Sequence, residues 1–436
     1  MIINFKSISD TMSMINDIVG SNKNSLMVMF DTAGDNLVIN FTDGNSDFTK
    51  KLDVTYEETD VREPVAFDLR RLKSLIDACS PTSNKIIVDE VKFDFENDKV
   101  CVVKAEKKIL VQVNGEDELK VASVTQQAIN YEKLADNKGM KAALIKRPNY
   151  SGLLFDNIED EPEFNEWDVD NLKKILSRLT EEQGKTVYIA PHSKCGFVIN
   201  TSSTVVIPLE NDISLRIVVT TAIAKMIISL ISKMGTDTIK VFEIGTNILS
   251  FCDTDCNCAF SIKTLKPDAN HLQNLAACVD RDFDTHLINF HKDILYSCVH
   301  GAAMASDSDK IEIAFSDEEE FKMKMQALNT VKSIDNKYDL SAAFVLDADA
   351  TKNLKLNAAI GMIDKILNSV ETEYVTFDVS VGNSGDRMIR IGEIDLAKRK
   401  EVAEREGIEG KWSREQNINL RKDILKCSTY FRVAAD

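Results

Sequence analysis

The chain lacks both a long hydrophobic run and a secretory leader. The longest apolar stretch, around Ile223 to Ile231, is interrupted by Lys225 and is too short to span a bilayer. The first ten residues, MIINFKSISD, contain none of the charged, apolar and small-residue zones of a signal peptide. These two absences argue against a membrane or secreted protein and predict a cytoplasmic one that makes no membrane contact.

The nine cysteines lack the spacing of a disulfide framework, and an odd number cannot all pair within one chain. We expect most of them to be reduced, small and buried, as is usual in the cytosol. One cluster, Cys252, Cys256 and Cys258 in SFCDTDCNCAF, has the composition of a zinc or redox site. Its spacing has no matching second pair, and the nearest histidine is His271. A metal-binding enzyme centred on this cluster remains an alternative function.

Catalytic motifs are also missing. The GKT at Gly184–Thr186 would need a glycine at position 179 and a preceding strand, whereas the sequence has Leu179 and a predicted helix there. The GNSG at Gly382 has the wrong serine spacing for a nucleophile elbow. The five histidines form no HExxH or i, i+4 ligand pair. The sequence therefore predicts a non-enzymatic protein without a cofactor or a bound metal.

The charge balance is strongly acidic. The 436 residues, 44% hydrophobic and 28% charged, describe a soluble protein of about two to four domains. A net charge of -17 and a pI near 4.9 argue against wholesale coating of nucleic acid. Net charge governs solubility and long-range steering, however, so a confined basic face can still bind a polyanion that the remaining surface repels.

What the sequence does contain is a repeat. An amphipathic helix of about three turns, followed by two or three strands of alternating hydrophobicity, recurs about six times. The helical stretches are predicted near residues 8–19, 69–80, 167–185, 220–235, 291–306 and 349–369. Because each helix adjoins its strands and the strands join through short polar turns, we expect antiparallel meanders with helices packed on one face, an α+β fold.

Pairing the six copies predicts three domains, with bounds 1–150, 151–280 and 281–436. A charged segment, LAKRKEVAEREGIEGKWSREQ, interrupts the last copy and forms an insertion near residues 397–422. We expect an exposed helix there, followed by a loop around Gly407 and Gly410. The insertion displaces the last strand of the copy to STYFRVAA.

Cations occupy the predicted helices of an otherwise acidic chain. In the third helix, Lys174 and Arg178 are one turn apart on the face opposite to Leu172 and Leu176. Such residues are ordinary solvated side chains unless equivalent helices face the same way, in which case they form one basic surface. The candidates are Arg70, Arg71, Lys73, Lys173, Lys174, Arg178, Lys225, Lys233, Lys292, Lys352, Lys355 and Lys365.

The repeat order and three stretches resemble the sliding clamps of DNA polymerases, and more narrowly the bacterial-type clamp. DTHLINFHKDILYSCVHGAAMASDSDKIEIAFSDEEEFKMKMQA is similar to the start of that family's third domain. YDLSAAFVLDADATKNLKLNAAI is similar to a later step of the same domain, and CSTYFRVAAD to its closing strand. Two departures are the charged insertion and the tail, where Val433 and the residues after it replace a Met-Pro-Met-Arg-Leu-like ending.

The resemblance implies a head-to-tail homodimer that forms a ring, with twelve helices around a central hole. The basic residues above would then bind duplex DNA through phosphates without reading sequence. It also implies a DNA polymerase and a clamp loader as partners, at the nucleoid or at a viral replication site. The divergence from the bacterial pattern suggests a viral or otherwise distant member.

The resemblance further implies a pocket for short apolar peptides between the second and third domains. The matching positions are Phe431 and Val433 on the closing strand, with Val205 and Ile207 opposite. Three alternatives stay open beside the clamp. They are a scaffold or processivity protein of the same fold that closes no ring, a structural protein of a viral particle, and the cysteine-centred enzyme described above.

Overall fold

A computed structural model gives the architecture of the chain. It describes residues 1–20, 26–33, 36–57, 63–114, 116–136, 138–139, 164–181, 186–190, 195–199, 203–209, 215–243, 247–305, 309–316, 322–327, 337–339, 345–350 and 354–433. The chain divides into two compact units. Unit 1 comprises Met1–Lys174 and Ala222–Leu265, and unit 2 comprises Ile175–Thr221 and Lys266–Asp436. The three-domain division by sequence stays a prediction.

Six copies of one motif, a strand, a helix and three further strands, account for most elements. The first copy is β1 (Ile2–Asn4), α1 (Phe5–Val19), β2 (Met27–Ala33), β3 (Asn36–Thr42) and β4 (Ser46–Thr55). The second is β5 (Val65–Asp68), α2 (Leu69–Cys79), the short β6 (Ile86–Ile87), β7 (Glu90–Asn97), β8 (Val100–Val113) and β9 (Glu116–Lys133).

The middle two copies follow the same order. The third copy is β10 (Asn165–Asp168), α3 (Val169–Glu181), β11 (Thr186–Ala190), β12 (Cys195–Ile199) and β13 (Ser203–Pro208). The fourth is β14 (Ile217–Thr220), α4 (Thr221–Met234), β15 (Thr238–Glu243), β16 (Ile248–Asp253) and β17 (Cys258–Lys263). A further helix, α5 (Ala269–Val279), lies outside the motif and is not among the helices predicted from the sequence.

The last two copies complete the series. The fifth copy is β18 (His286–His291), α6 (Lys292–Ala305), β19 (Lys310–Ser316), β20 (Lys322–Ala327), β21 (Lys337–Asp339) and β22 (Val345–Ala350). The sixth is β23 (Leu354–Ala359), α7 (Ile360–Ser369), β24 (Tyr374–Val381), β25 (Arg387–Ile394) and β26 (Leu425–Val433). Between β25 and β26 the insertion forms α8 (Leu396–Glu406), α9 (Arg414–Leu420) and a 3-10 turn (Arg421–Ile424).

The helices start where the sequence supplies a cap. Asn4, Asp68 and Asp168 each end the strand before a helix, and their side chains accept hydrogen bonds from backbone amides of the first turn, at 3.0, 2.9 and 2.7 Å. A side-chain acceptor there satisfies a donor that has no partner within the helix. The same kind of N-cap therefore marks the boundary between strand and helix in three of the copies.

In unit 1, the eight main strands of the first two copies form a closed antiparallel sheet. The order runs β1–β7–β8–β9–β5–β2–β3–β4, and β4 returns to β1 through Ile2 opposite Thr55. From β4 the sheet also continues into the fourth copy and to β10, in the order β17–β16–β15–β10. The packed rings of Phe30, Phe67 and Phe93 fill its core, with centroids 5.0 Å apart for Phe30 and Phe67.

In unit 2, nine strands form one antiparallel sheet in the order β14–β11–β12–β13–β26–β25–β24–β18–β22, and four form another in the order β21–β20–β19–β23. Two strand pairs thus join copies that are distant in sequence. We call β4 with β17, in unit 1, the first junction, and β13 with β26, in unit 2, the second junction. Each pairs the last strand of one copy with the last strand of another.

One predicted helix was too long. The stretch 349–369 contains the strand β23 before α7 begins at Ile360. In β23 the buried Leu356 and Ala358 alternate with exposed Lys355 and half-buried Asn357, a period of two that is typical of a strand. Lys355 therefore lies on a strand and not on a helix, and Lys352 lies outside the described residues.

The exposed helix predicted for the insertion is present as α8, whereas α9 and the 3-10 turn were not predicted. The insertion is also anchored to the sheet. Its helix α8 is mostly exposed and ends at Gly407, whose φ of +65° suits a left-handed C-cap. Its apolar residues Val402 and Trp412 are buried against Ile394 and Leu425 of the flanking strands. No helix among the described residues is long and apolar enough to cross a membrane.

Candidate nucleic-acid interface and partner pocket

Three helices of unit 1 adjoin one another, with α1 in the middle. α1 packs against α2 on one side. On the other side, Asp17 of α1 accepts a hydrogen bond from the hydroxyl of Ser229 on α4 at 2.6 Å, and Ser13 accepts one from the Lys233 ammonium at 2.9 Å. Lys233 also forms an ion pair with Asp17. Helices of three different copies thus form one helix row, α2–α1–α4.

The helix row carries five of the predicted cations. Arg70 and Arg71 on α2 and Lys225 on α4 are exposed. Lys73 is half-buried and pairs with Asp77 one turn later, while Lys233 pairs with Asp17. The buried residues of α2 recur at three- and four-residue spacing, so its cations lie on the solvent side. The structure therefore brings these five residues together on adjoining helices.

Helices of unit 2 carry fewer net positive charges. α6 packs against α7, and each has one basic and one acidic residue. Lys292 donates to the Val370 carbonyl at 2.9 Å, and Lys365 is half-buried. Lys355, on its strand, lies 3.6 Å from the Glu312 carboxylate. By contrast, α2 and α4 together hold five basic side chains and one acidic.

The exposure predicted for Arg178 was wrong. The residue is only 9% exposed, and its guanidinium donates to both the Ser369 carbonyl at the end of α7 and the buried carboxylate of Glu393. Burial raises the pKa of Glu393, and Arg178 partly offsets this. Lys174, one turn earlier, is exposed, and Lys173 pairs with Asp170 at 2.8 Å. Arg178 therefore binds the protein itself and is not available to a ligand.

The six helices of the repeat are net positive as a set. They contain eleven basic and seven acidic side chains, in a chain whose net charge is -17. The basic excess is therefore concentrated on these helices while the rest of the chain is strongly acidic. Such a distribution suits a polyanion held at the helices and repelled elsewhere.

The second junction confirms that the closing strand lies beside a strand of the third copy. In its register, Val205 is opposite Thr429 and Ser203 is opposite Phe431. Directly opposed residues share a face of a sheet, and so do residues two apart along a strand. Val205, Ile207, Phe431 and Val433, the predicted pocket walls, therefore lie on one face of the two strands.

That face is not the exposed cleft that was predicted. Val205 and Phe431 are 0% and 2% exposed, and Ile207 is 9% exposed. Phe431 belongs to the apolar core that includes residues of α6 and α7, and partly buried Val433 packs against the same core. The prediction failed because strand residues alternate between faces, and these positions point to the core.

The opposite face of the second junction is apolar and covered by α5. Val206 and Tyr430 lie there, in a cluster with Leu275 and Cys278 of α5. The Tyr188 hydroxyl lies 2.7 Å from Nδ1 of His271, on the same helix. The spacing of Leu272, Leu275 and Val279 is an amphipathic signal that could have revealed this helix.

The cysteine cluster does not support a metal site. Cys252 and Cys258 are buried, and Cys256 lies in the turn between their strands. Burial raises the pKa of the Cys258 thiol to about 12 and also raises that of Cys252, whereas metal ligation needs thiolates. Among the described residues, no group of three or more His, Cys, Asp or Glu side chains could hold a metal ion.

No protein-family model matches the sequence, and no curated protein matches it. Solved structures do match, over 100% of this chain and 99% of theirs. A DNA polymerase sliding clamp from Pseudomonas aeruginosa, solved with a ligand, has a TM-score of 0.61 at 12% identity. The DNA polymerase III beta chain from Streptococcus pneumoniae has a TM-score of 0.62 at 10% identity, and the beta subunit from Thermotoga maritima 0.60 at 10%.

The chain therefore has the fold of the bacterial DNA polymerase sliding clamps from end to end, which confirms the α+β fold and the resemblance predicted from the repeats. At these identities the likeness establishes architecture, and function has to be argued from the chain's own residues.

Proposed function

We propose that this protein is a sliding clamp, a non-catalytic processivity factor that encircles duplex DNA as a homodimer and tethers a DNA polymerase. The observation that carries the proposal is a clamp fold over the whole chain whose repeat helices concentrate basic residues in an acidic protein. Phosphates would be held through Lys and Arg without base contacts, so binding is independent of sequence and sensitive to salt.

The two junctions indicate how two chains would pair to close a ring. In each junction, the last strand of one copy pairs with the last strand of another. Two of the six copies of the motif remain, the second and the fifth. Their third main strands after the helix are β9 and β21. Within the described residues, β21 pairs only with β20, and β9 from Glu116 to Asn130 pairs only with β8. If the same rule applies between two chains, β9 of one chain pairs with β21 of the other in a head-to-tail arrangement.

The β9 edge has the surface expected of an interface. Leu119, Val121 and Val124 are each more than half exposed on this strand. Large apolar side chains beside a strand edge with free backbone groups favour pairing with another chain. The first three residues of β9 are acidic, EDE.

The DNA test compares retention on circular and linear DNA. Wild-type protein loaded on nicked circular DNA should stay bound and should leave once the DNA is linearised, because a ring slides off ends. A triple variant, Arg71→Glu, Lys174→Glu and Lys225→Glu, should lose most retention and much of its salt dependence. Arg178 is left unchanged because it lies in a buried ion pair.

The matched control changes Lys85, Lys266 and Lys411 to Glu. These residues are exposed and lie outside the helices, so net charge changes equally. Retention similar to wild type is expected. Equal losses in both triple variants would contradict the assignment of the helices to DNA, and retention that survives linearisation would contradict the ring.

The dimer test is a mass measurement in solution. A dimer has twice the 48.8 kDa of the chain, about 98 kDa. Val121→Pro removes a backbone donor from the β9 edge and should give a monomer, whereas Val121→Thr keeps strand propensity and should leave the dimer intact. A monomeric wild type that still stimulates a polymerase would favour the scaffold of the same fold that closes no ring.

A closed ring would need a further partner beside the polymerase. A closed ring has to be opened to enter circular DNA, so a clamp loader is a second proposed partner beside the polymerase. Its place of action would be the cytoplasm, at the nucleoid or at a viral replication site. Copurification of a polymerase and an ATP-dependent loading activity with the tagged chain would support this part, and retention that needs no loader would contradict it.

A further inference from the structure

The exposed basic side chains of the six repeat helices all lie in one of the two units. Five of the eleven basic residues on these helices are exposed, and all five belong to unit 1. They are Lys6, Arg70, Arg71, Lys174 and Lys225. In unit 2, Arg178 is buried, and Lys292 and Lys365 are half-buried. The positive charge that can meet a phosphate is therefore one-sided within the chain.

The carboxylates of the helix row are largely offset by lysines that are not exposed. The row α2–α1–α4 holds six basic and three acidic side chains. Asp77 pairs with half-buried Lys73, and Asp17 pairs with half-buried Lys233. Asp10 on α1 is the remaining acidic residue of the row. The exposed arginines and lysines of the row thus give it a net positive surface.

The middle helix of the row, α1, presents short polar side chains to solvent. Ser9 and Ser13 are half-buried and Asn16 is exposed, whereas the apolar residues of the helix are buried. Residues 9, 13 and 16 are spaced by four and three, so they share one face of the helix. Serine and asparagine side chains commonly donate hydrogen bonds to phosphate oxygens. A strip of short donors therefore runs between the cations of α2 and those of α4.

In unit 2, α6 presents a different surface. The ring of exposed His300 stacks on the ring of Tyr296 one turn earlier, with centroids 5.6 Å apart, and Met304 is 81% exposed. Lys292, the one lysine on this helix, donates to the Val370 carbonyl at 2.9 Å. With two basic and two acidic residues in all, α6 and α7 offer a polyanion no net attraction.

We propose that each chain holds duplex DNA mainly through the helix row of unit 1, with Ser9 and Asn16 of α1 as phosphate donors between the cations of α2 and α4. The helices α6 and α7 add little to binding. This inference rests on the DNA-binding function proposed above and specifies which part of the chain carries it. It departs from a lining in which all six helices contribute equally.

The first test compares two matched pairs of substitutions in the full chain. Arg71→Gln with Lys225→Gln removes two charges from unit 1, and Lys292→Gln with Lys365→Gln removes two from unit 2. Binding of a short fluorescent duplex is measured by anisotropy across a salt series. Each phosphate contact adds about 0.9 to the slope of log K against log salt, so the unit 1 pair should lower the slope by about 1.8 and the unit 2 pair by less than about 0.5.

The two ways in which this test can fail are distinct. Equal decreases in slope for the two pairs would overturn the one-sided assignment and leave DNA binding by the helices in place. No decrease with either pair would contradict both the one-sided assignment and the assignment of the helices to DNA.

The second test concerns α1. Ser9→Glu places a carboxylate beside the phosphates and should weaken duplex binding about tenfold at low salt. Ser297→Glu on α6, an exposed serine of unit 2, changes the net charge equally and should weaken binding less than about twofold. Ser9→Ala with Asn16→Ala removes the two donors without adding charge and should weaken binding about fivefold. Unchanged binding in either α1 variant, or an equal loss with Ser297→Glu, would overturn the proposal.

Discussion

The two junctions have the same kind of strand pairing but differ in the burial of the ion pair beside them. Both pair the last strands of two copies, and both add a polar link between helices of those copies or the elements beside them. At the first junction the link is Asp17 with Lys233, whose side chains are 24% and 32% exposed. At the second it is Arg178 with Glu393, at 10% and 3%. The same geometric role is thus filled once near water and once in the core.

This difference in burial predicts which of the two ion pairs contributes more to stability. Water screens the first pair, so we expect it to contribute at most about 1 kcal/mol. The second pair has lost its water, and removing one partner would leave the other charge buried and uncompensated, which typically costs about 3–5 kcal/mol. The second junction should therefore tolerate single substitutions far less than the first.

The largest expected effect is that of Glu393→Gln. It leaves the Arg178 guanidinium buried with a neutral partner, and arginine cannot shed its proton. We expect unit 2 to lose about 3–5 kcal/mol of unfolding free energy, measured by urea titration with a probe in that unit. Glu371→Gln, which removes an exposed pair with Lys426, is the control and should cost less than about 1 kcal/mol. Equal losses would mean that burial does not distinguish the two pairs.

Arg178→Met should cost less, and its cost should depend on pH. Burial already raises the pKa of Glu393 above 4.5, and losing Arg178 removes a group that lowers it. A carboxyl whose pKa is raised in the folded state adds stability below its unfolded pKa and loses it as pH rises through the folded value. The variant should therefore recover stability as pH falls from neutral toward 4.5, while Glu393→Gln should not. Parallel urea titrations across that range would show it.

Asp17→Asn should have a small effect at the first junction. The Ser229 hydrogen bond can persist to the amide oxygen, and only the partly exposed charge pair with Lys233 is lost. We expect a loss of about 0.5–1 kcal/mol that shrinks with added salt. Asp10→Asn on the same helix is the control and should change nothing measurable. A loss above about 3 kcal/mol would show that the first junction behaves like the second.

Replacing both partners at the second junction should cost much less than removing Glu393 alone. With Arg178→Met and Glu393→Met together, no charge remains buried, and well-packed apolar groups commonly match a buried ion pair in stability. We expect an unfolding free energy within about 1–2 kcal/mol of wild type, by the same urea titration. Arg178 also donates to the Ser369 carbonyl, and Glu393 also accepts from the Glu371 amide at 3.1 Å. If the double variant is as unstable as Glu393→Gln alone, the pair is needed for these hydrogen bonds and not only for mutual neutralisation.

These contrasts mark what sequence could predict. The six copies were found because helix and strand periods differ, and that local signal survives at very low identity. The burial of Arg178 could not be predicted from such a local pattern. It shares a helical face with Lys174, but whether that face meets water or Glu393, 215 residues later, is decided by tertiary packing.

The predicted pocket failed for a related reason. The pairing of the closing strand with the third copy was anticipated through the clamp resemblance, yet face assignment depends on register to the single residue. Phe431 points into the core and Tyr430 points to α5. The α5 cover itself was missed because it stands outside the repeat. The buried pair of Asp378 and Arg421 was invisible for the same reason as Arg178, because the two residues meet only in three dimensions.

The second junction also sets an order of events during synthesis. Unit 1 contains nothing beyond Leu265, so all of its strands are made before β18 begins at His286. In unit 2, β13 pairs with β12 early but lacks its second neighbour until β26 (Leu425–Val433) is made. Long-range pairings of this kind are slow, and a waiting strand edge is prone to wrong partners. The nascent chain thus completes the strands of unit 1 early and leaves one edge of β13 unpaired until β26 is made.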